Sequence, residues 1–248
     1  MSNIPLSKIL DSKKIYENAD SLPKSISIQD VEEFLNLDKW THNKRYKNLY
    51  KSLSTDTYSK YNLNDYWCMR YTSIPNIDED TFRNKFVLYL NGYNNKDDEY
   101  IITQENASFR VDLEKEYIHT IQDIKITEEI VETDHVLVKF KNTYKLKPSI
   151  LSLRKFHQWV YINKPIKAAN EEISYVVSLR AKPDEEQKIK CYYVSIEMLK
   201  YNLNTKELKW YMATTSDAGG SIPMFLQKLG IDNAVVEDIP SFLGYIKY

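Results

Sequence analysis

Glycine is scarce in this 248-residue chain: there are five, and four of them (Gly219, Gly220, Gly230 and Gly244) fall in the last thirty residues. The body of the chain therefore has no phosphate-cradling glycine loop and no Gly-x-Ser-x-Gly elbow, which removes two common routes to nucleotide binding and to hydrolase chemistry. Cysteine is almost absent. Cys68 and Cys191 lie 123 residues apart inside apolar, strand-like runs, so a disulfide framework and paired thiol ligands for zinc are both excluded. The four histidines (His42, His119, His135 and His157) lack the short spacings of a zinc-binding helix, and no metal or other cofactor is expected. Long apolar runs are missing too. Nothing approaches the roughly 18 residues of a membrane span, and the opening MSNIPLSKILDSKK lacks the apolar centre of a signal peptide, so a cytoplasmic, soluble chain is expected. A surplus of charge is also lacking. Thirty-four basic residues against thirty-five acidic ones leave a net charge of minus one, and Lys44 to Lys51 interleaves with Tyr and Asn, so no nucleic-acid partner is expected.

What the sequence does contain is a globular composition, 42% hydrophobic and 28% charged, with twenty tyrosines. A chain of this length can bury about 73% of its unfolded surface, enough for one large domain or two small ones. Ile4 to Ala19 and Ile28 to Leu37 read as short amphipathic helices, the second introduced by Ser27. The stretch Lys44 to Tyr61 reads as helix or loop, and residues 1–62 as a helical extension packing on a domain that spans 63–248. Tyr66 to Tyr71 is a strand, and Asp78 to Leu90 a helix on the spacing of Phe82, Phe86 and Leu90. Strand patterns then occupy 117–131, 135–141, 155–163, 173–181, 190–201 and 207–215, close enough together for hairpins and hence a mainly antiparallel sheet.

Along Cys191 to Leu199, Tyr192, Val194, Ile196 and Met198 form an apolar face, while Tyr193, Ser195 and Glu197 form a mixed one. After Ser221 and Pro223, which suit a helix start, Ile222, Phe225, Leu226 and Leu229 begin an apolar stripe. It continues through Val236, Ile239, Leu243 and Ile246. One long helix is predicted, kinked near Gly230 or reopened at Pro240, with its stripe on the concave face of the sheet.

The segment Trp210-Tyr211-Met212-Ala213-Thr214-Thr215-Ser216-Asp217-Ala218-Gly219-Gly220-Ser221-Ile222-Pro223 resembles the junction between last strand and final helix in START-type lipid-binding domains, in particular a fungal START-like family of uncharacterised function. Three further stretches carry the resemblance: Tyr66 to Ser73 as first strand; Tyr144-Lys145-Leu146-Lys147-Pro148 through Leu153-Arg154-Lys155-Phe156 as a proline loop and strand start; and Val194 to Leu199 before the last hairpin. The likeness covers about residues 65–247, leaving 93–116 unaligned and the first 60 residues without a motif. It implies an α+β helix-grip fold of the START and Bet v 1 type, a curved antiparallel sheet wrapped around a long C-terminal helix. It also implies a hollow between sheet and helix that holds one lipid behind a helix-and-loop gate.

Within such a hollow, Arg70, Arg154 and Glu197 are the charged candidates. An arginine there would pair with Glu197 or grip a lipid phosphate; otherwise all three are solvated on the outer face, where strand parity would put Glu197. Trp67, Trp159, Trp210, Tyr161, Tyr175 and Tyr193 offer aromatic faces to a choline-like head, or simply pack the core. Phe225 and Leu229 would line the hollow from the helix. Leu146, Ile150, Leu151 and Leu153, set among Lys145, Lys147 and Arg154, suit shallow insertion into a membrane surface or a loop folded on the core. Gly219, Gly220 and Gly230 are the candidate hinges.

The function expected is non-enzymatic binding and transfer of one lipid, a glycerophospholipid rather than a sterol, by a monomer in transient contact with intracellular membranes. The alternatives are a helix-grip hydrolase or cyclase using Glu197 or His157 as base, and a co-chaperone-like interaction module with a filled core.

Overall fold

A computed structural model describes residues 4–102, 104–145, 152–184, 186, 188–220 and 224–248, with backbone alone for 104–107 and 224–229. In chain order the elements are α1 (Leu6–Ile9), α2 (Ile28–Phe34), β1 (Thr41–Tyr50), β2 (Leu53–Asn62), β3 (Asp65–Ile74), α3 (Glu79–Thr81), a π-helical stretch Phe82–Val87, and α4 (Leu88–Asn91). Then come β4 (Asn94–Lys96), β5 (Glu99–Ile101), α5 (Gln104–Tyr117), β6 (Ile121–Val131), β7 (His135–Tyr144) and β8 (Arg154–Asn163). β9 (Ile166–Ala168), β10 (Glu171–Arg180), β11 (Tyr192–Asn202), β12 (Glu207–Asp217) and α6 (Met224–Tyr245) complete the chain.

The main sheet runs β1-β2-β3-β12-β11-β10-β8-β7-β6, with β9 added beside β10, and every pairing in it is antiparallel. Leaving β9 aside, strands that follow one another in the chain lie side by side in the sheet except where β3 leads through α3, α4 and α5 to β6 at the far border. The return of β12 beside β3 closes that excursion. Both borders are irregular: β1 shifts register between His42 and Lys44 and between Tyr46 and Tyr50, and β6 between Ile121 and Asp123 and between Ile126 and Glu128.

Each face of the sheet is sealed by different elements, because the strands are buried on both sides. On the concave face α6 and the α3–α4 run pack Phe82, Phe86, Ile239, Phe242 and Leu243 against Trp210 and Tyr201. On the convex face the N-terminal segment lays Leu10, Tyr16, Val31, Phe34 and Trp40 over Trp67, Trp159, Tyr161, Val194 and Ile196. The clean apolar face of β11 is therefore the one under the N-terminal segment, and the mixed face looks toward α6.

Several expectations are met element by element. Ser27 caps α2, its side chain accepting the Asp30 N–H at 3.1 Å. Asp78 does the same for α3 at 2.8 Å, Phe82, Phe86 and Leu90 are buried, and Gly92 ends α4 at φ 77°. α6 is one helix that continues through Pro240; Ser221 and Pro223 lie outside the described residues.

Others are corrected. Lys44 to Tyr61 belongs to the β1–β2 hairpin, hydrogen-bonded to β3 as part of the sheet, and is neither helix nor loop. The signal is hidden because β1 is an exposed border strand with polar residues on both faces. Only Leu6–Ile9 of the first expected helix is helical. Tyr16 instead bridges Ala181 in parallel. Tyr117 closes α5 rather than opening a strand, and β6 begins at Ile121.

Candidate functional site

One row of side chains crosses the concave face: Val176 of β10, Glu197 of β11, Met212 of β12 and Arg70 of β3 are successive Cα partners. The alternation of strands puts all four on the side facing α6. Arg70 is 2% exposed. Its Nη2 donates to Glu197 Oε1 at 2.9 Å, Trp210 Nε1 donates to the same oxygen at 2.7 Å, and the guanidinium carbon lies 4.3 Å from the centre of the Trp210 ring. This unit forms part of the wall of a cavity of about 90 Å³. α5 contributes Arg110, Glu114 and Tyr117; β7 contributes Phe140, Asn142 and Tyr144; and α6 closes it with Asp238 and Phe242.

The lining is more charged than an apolar hollow predicts. Arg110 donates to the Leu90 carbonyl at 2.6 Å and pairs with Glu114 at 2.8 Å, an i,i+4 pair on α5. Burial raises the Glu114 carboxyl, opposed by Arg110. Burial raises the Asp238 carboxyl from its ordinary 3.8 to about 7; Arg70 opposes the shift, while Glu197 and Glu114 add to it. Tyr193 rises to about 12, and Tyr117 and Tyr144 go well above the usual phenol range, all chiefly through burial. Among the described residues, three hydrogen-bonding positions in the cavity wall have no partner: Arg70 Nε, Arg70 Nη1 and Asn142 Oδ1. Each such group costs about 1–3 kcal/mol, more on a charge, so the cavity wall is incomplete as it stands.

Of the residues expected at the site, Arg70, Tyr193, Glu197 and Trp210 meet at this cavity, and Glu197 is thus not on a solvated outer face. Trp159 and Tyr161 do not reach it. Strand parity turns them to the convex face, 0% and 1% exposed among the N-terminal side chains, together with Trp67 and Tyr175. His157 shares the parity of Trp159 and is likewise absent from the cavity wall, which separates it from Glu197.

Arg154 is buried but is not part of the wall. It donates to the Ala218 carbonyl and to the Ser152 carbonyl, each at 2.6 Å, tying the start of β8 to the β12–α6 junction. Gly219 and Gly220 sit in that junction at φ 61° and 70°, and a Cβ on Gly219 would lie 2.1 Å from the Lys190 carbonyl oxygen. Gly230 is inside α6, exposed, with nothing near its Cβ position among the described residues. The side chains of Phe225 and Leu229, and residues Leu146, Ile150 and Leu151, lie outside the described residues; Leu153 is 51% exposed.

Arg110, Glu114 and Asp238 were not singled out from the sequence, although signals existed. Arg110 and Glu114 have the helical ion-pair spacing, and Asp238 stands three residues after Val235 and four before Phe242, inside the apolar stripe of α6. The hollow itself is smaller than a whole lipid needs, because Phe86, Tyr117, Trp210 and Phe242 fill the space beneath the second half of α6 with ring contacts of 5.4–6.0 Å.

Comparison with solved structures returns the same architecture. Human STARD10 superposes with a TM-score of 0.58 at 10% identity, covering 90% of this chain and 82% of that one. Human StAR-related lipid transfer protein 5 gives 0.55 at 8% identity over 88% and 91%. A STAR-related lipid transfer protein from Xanthomonas axonopodis gives 0.52 at 10% over 85% and 100%. No curated protein matches the sequence. The family described as "protein of unknown function (DUF3074)" matches residues 67–246, from β3 through the last turn of α6. An antiparallel sheet gripping a long C-terminal helix, with that sequence match across most of its length, makes the chain a member of the DUF3074 family with a START-like, helix-grip fold.

Proposed function

We propose that the chain binds and transfers one lipid, seating its polar end in the cavity beneath α6. The observation that carries this reading is a cavity between sheet and closing helix whose wall holds two arginines and unfilled hydrogen-bonding positions, in the fold shared with lipid transfer proteins. About 90 Å³ accommodates a head group and not acyl chains, against roughly 300–1,000 Å³ for ordinary small-molecule sites, so the described form is the closed one. Loading then requires α6 to lift from Phe86 and Trp210. Shielding of acyl chains from water compensates at about 25 cal/mol per Å².

The charged wall favours a glycerophospholipid over a sterol, whose single hydroxyl leaves most of these groups unmet. The carrier works as a monomer touching membranes transiently, with the loop ending at Leu153 and the α6 junction as its membrane-facing end. Mass spectrometry of lipids co-purifying with the recombinant chain, followed by transfer between donor and acceptor vesicles, tests the proposal. A stoichiometric lipid and measurable transfer are expected; an empty protein without transfer overturns it.

A second reading rests on Asp238. A buried carboxyl titrating near 7 in a cavity beside two further carboxylates is also what an acid–base catalyst needs. Recovery of a chemically altered small molecule in the same experiment would favour it.

A further inference from the structure

We infer that the ligand end held in this cavity is a zwitterion carrying a primary ammonium, which Asp238 and Asn142 receive. This deepens the carrier reading and rests on it. The inference comes from counting charge and hydrogen-bonding capacity in the wall. Arg70 is committed to Glu197 at 2.9 Å and Arg110 to Glu114 at 2.8 Å, so the two cations and two of the three carboxylates already balance. Asp238 is the third carboxylate. Among the described residues it has neither an ion pair nor a hydrogen bond, although Arg70 is near enough to oppose its upward shift. The uncommitted charge in the wall is therefore negative.

A ligand that brings only negative charge would add to Glu114, Glu197 and Asp238 in a site where both arginines are taken. A positive nitrogen set against Asp238 gives that carboxylate the partner it lacks among the described residues. The unfilled groups refine this. Asn142 Oδ1 is an acceptor on a side chain 2% exposed and asks for a donor, as does the Asp238 carboxylate. A primary ammonium offers three N–H donors, whereas a trimethylammonium offers none. Arg70 Nε and Nη1 ask for an acceptor, which a phosphate or ester oxygen next to the ammonium supplies while keeping the ligand neutral overall. Local pairing matters because an unpaired ion in so enclosed a place is strongly disfavoured.

The test is a competition. The full chain is incubated with vesicles of phosphatidylethanolamine, phosphatidylcholine and phosphatidylglycerol in equal amounts, re-isolated, and its bound lipids are quantified by mass spectrometry. Enrichment of phosphatidylethanolamine by about tenfold over each of the others is expected, the ratio equivalent to one well-placed charged contact. Asp238→Asn is expected to bring the three lipids close to equality, and Glu237→Gln, on the exposed side of the same turn, to keep the preference. Loading of phosphatidylcholine or phosphatidylglycerol as fully as phosphatidylethanolamine overturns the inference and leaves the carrier reading standing, as does a preference that survives Asp238→Asn. If Asp238→Asn does not fold, the wild-type competition decides alone. A chain that takes up none of the three lipids overturns the carrier reading and this inference together.

Discussion

Arg70 and Glu197 stand two strands apart, on β3 and β11, and close their ion pair at 2.9 Å across Met212, the residue of β12 in register with both. Strand pairing alone brings them together: two hairpins in correct register suffice, with no help from a loop. Because Arg70 is 2% exposed, Arg70→Met leaves Glu197 without its cation in a wall that also holds Glu114 and Asp238, and is expected to lower stability by about 3 kcal/mol in urea unfolding. Adding Glu197→Gln should recover most of that loss while lipid transfer stays impaired. Full transfer by the double variant would show that the pair is scaffolding for the sheet and not part of the ligand seat.

The Asp238 carboxyl sets a pH dependence of definite sign. In the unfolded chain it ionises near 3.8, and in the fold near 7, so between those values folding takes up a proton. The contribution of this carboxyl is thus most favourable below the lower value and declines as pH rises through the window, by at most about 1.4 kcal/mol per unit. Asp238→Asn removes this term and is expected to melt higher than wild type at about pH 8 and close to it at about pH 4. Parallel curves for the two proteins would mean that the carboxyl is in contact with bulk water.

Glycine is required at one of the candidate hinges and dispensable at another. Gly219→Ala combines φ 61° with a 2.1 Å encounter with the Lys190 carbonyl, and a loss of about 2 kcal/mol or more is expected. Gly230→Ala meets nothing and replaces a poor helix former, so a gain of about 0.5–1 kcal/mol is expected. If α6 bends at Gly230 during lipid exchange, the same variant slows vesicle-to-vesicle transfer; unchanged transfer assigns the motion to the Gly219–Gly220 junction.

The N-terminal segment is expected to be indispensable for solubility. Deleting residues 1–40 bares Trp67, Met69, Trp159, Val194 and Ile196 on the convex face, a patch far beyond what a soluble monomer tolerates. Sedimentation of the truncated chain should show aggregation, and a soluble, folded product would refute the covering role.

Membrane docking is expected to depend on the loop before β8. Ile150→Ser with Leu151→Ser should abolish liposome binding at unchanged thermal stability, and exposed Leu153 should add to the effect when replaced by Ser. Binding equal to wild type removes the loop from the docking step.

Much of this architecture is legible in the sequence wherever periodicity reports burial. The strands β7, β8, β10, β11 and β12, the helix through Phe82, Phe86 and Leu90, and the single stripe of α6 are all apparent. Periodicity fails where an element lacks a distinct apolar side. β1 has none, and α5 spreads apolar, acidic and basic residues around its axis, so neither announces itself. The site is half legible. Alternation separates Glu197 from Ile196 but does not say which face is the hollow one, and the cleaner apolar face turned out to be the packed one. The mixed face, with Tyr193, Ser195 and Glu197, is the one that lines the cavity. Asp238 was overlooked because one carboxylate in an apolar helical stripe reads as an interruption until the facing arginine is known.

The two irregular borders bear on how the protein behaves in a crowded solution. A neighbour approaching β1 finds a ladder broken in two places and the cations of Lys44, Arg45 and Lys47, and one approaching β6 finds two more breaks among Asp123, Lys125, Glu128 and Glu129. Both margins are thereby poor templates for a further strand, which disfavours edge-to-edge growth of the sheet into a fibril.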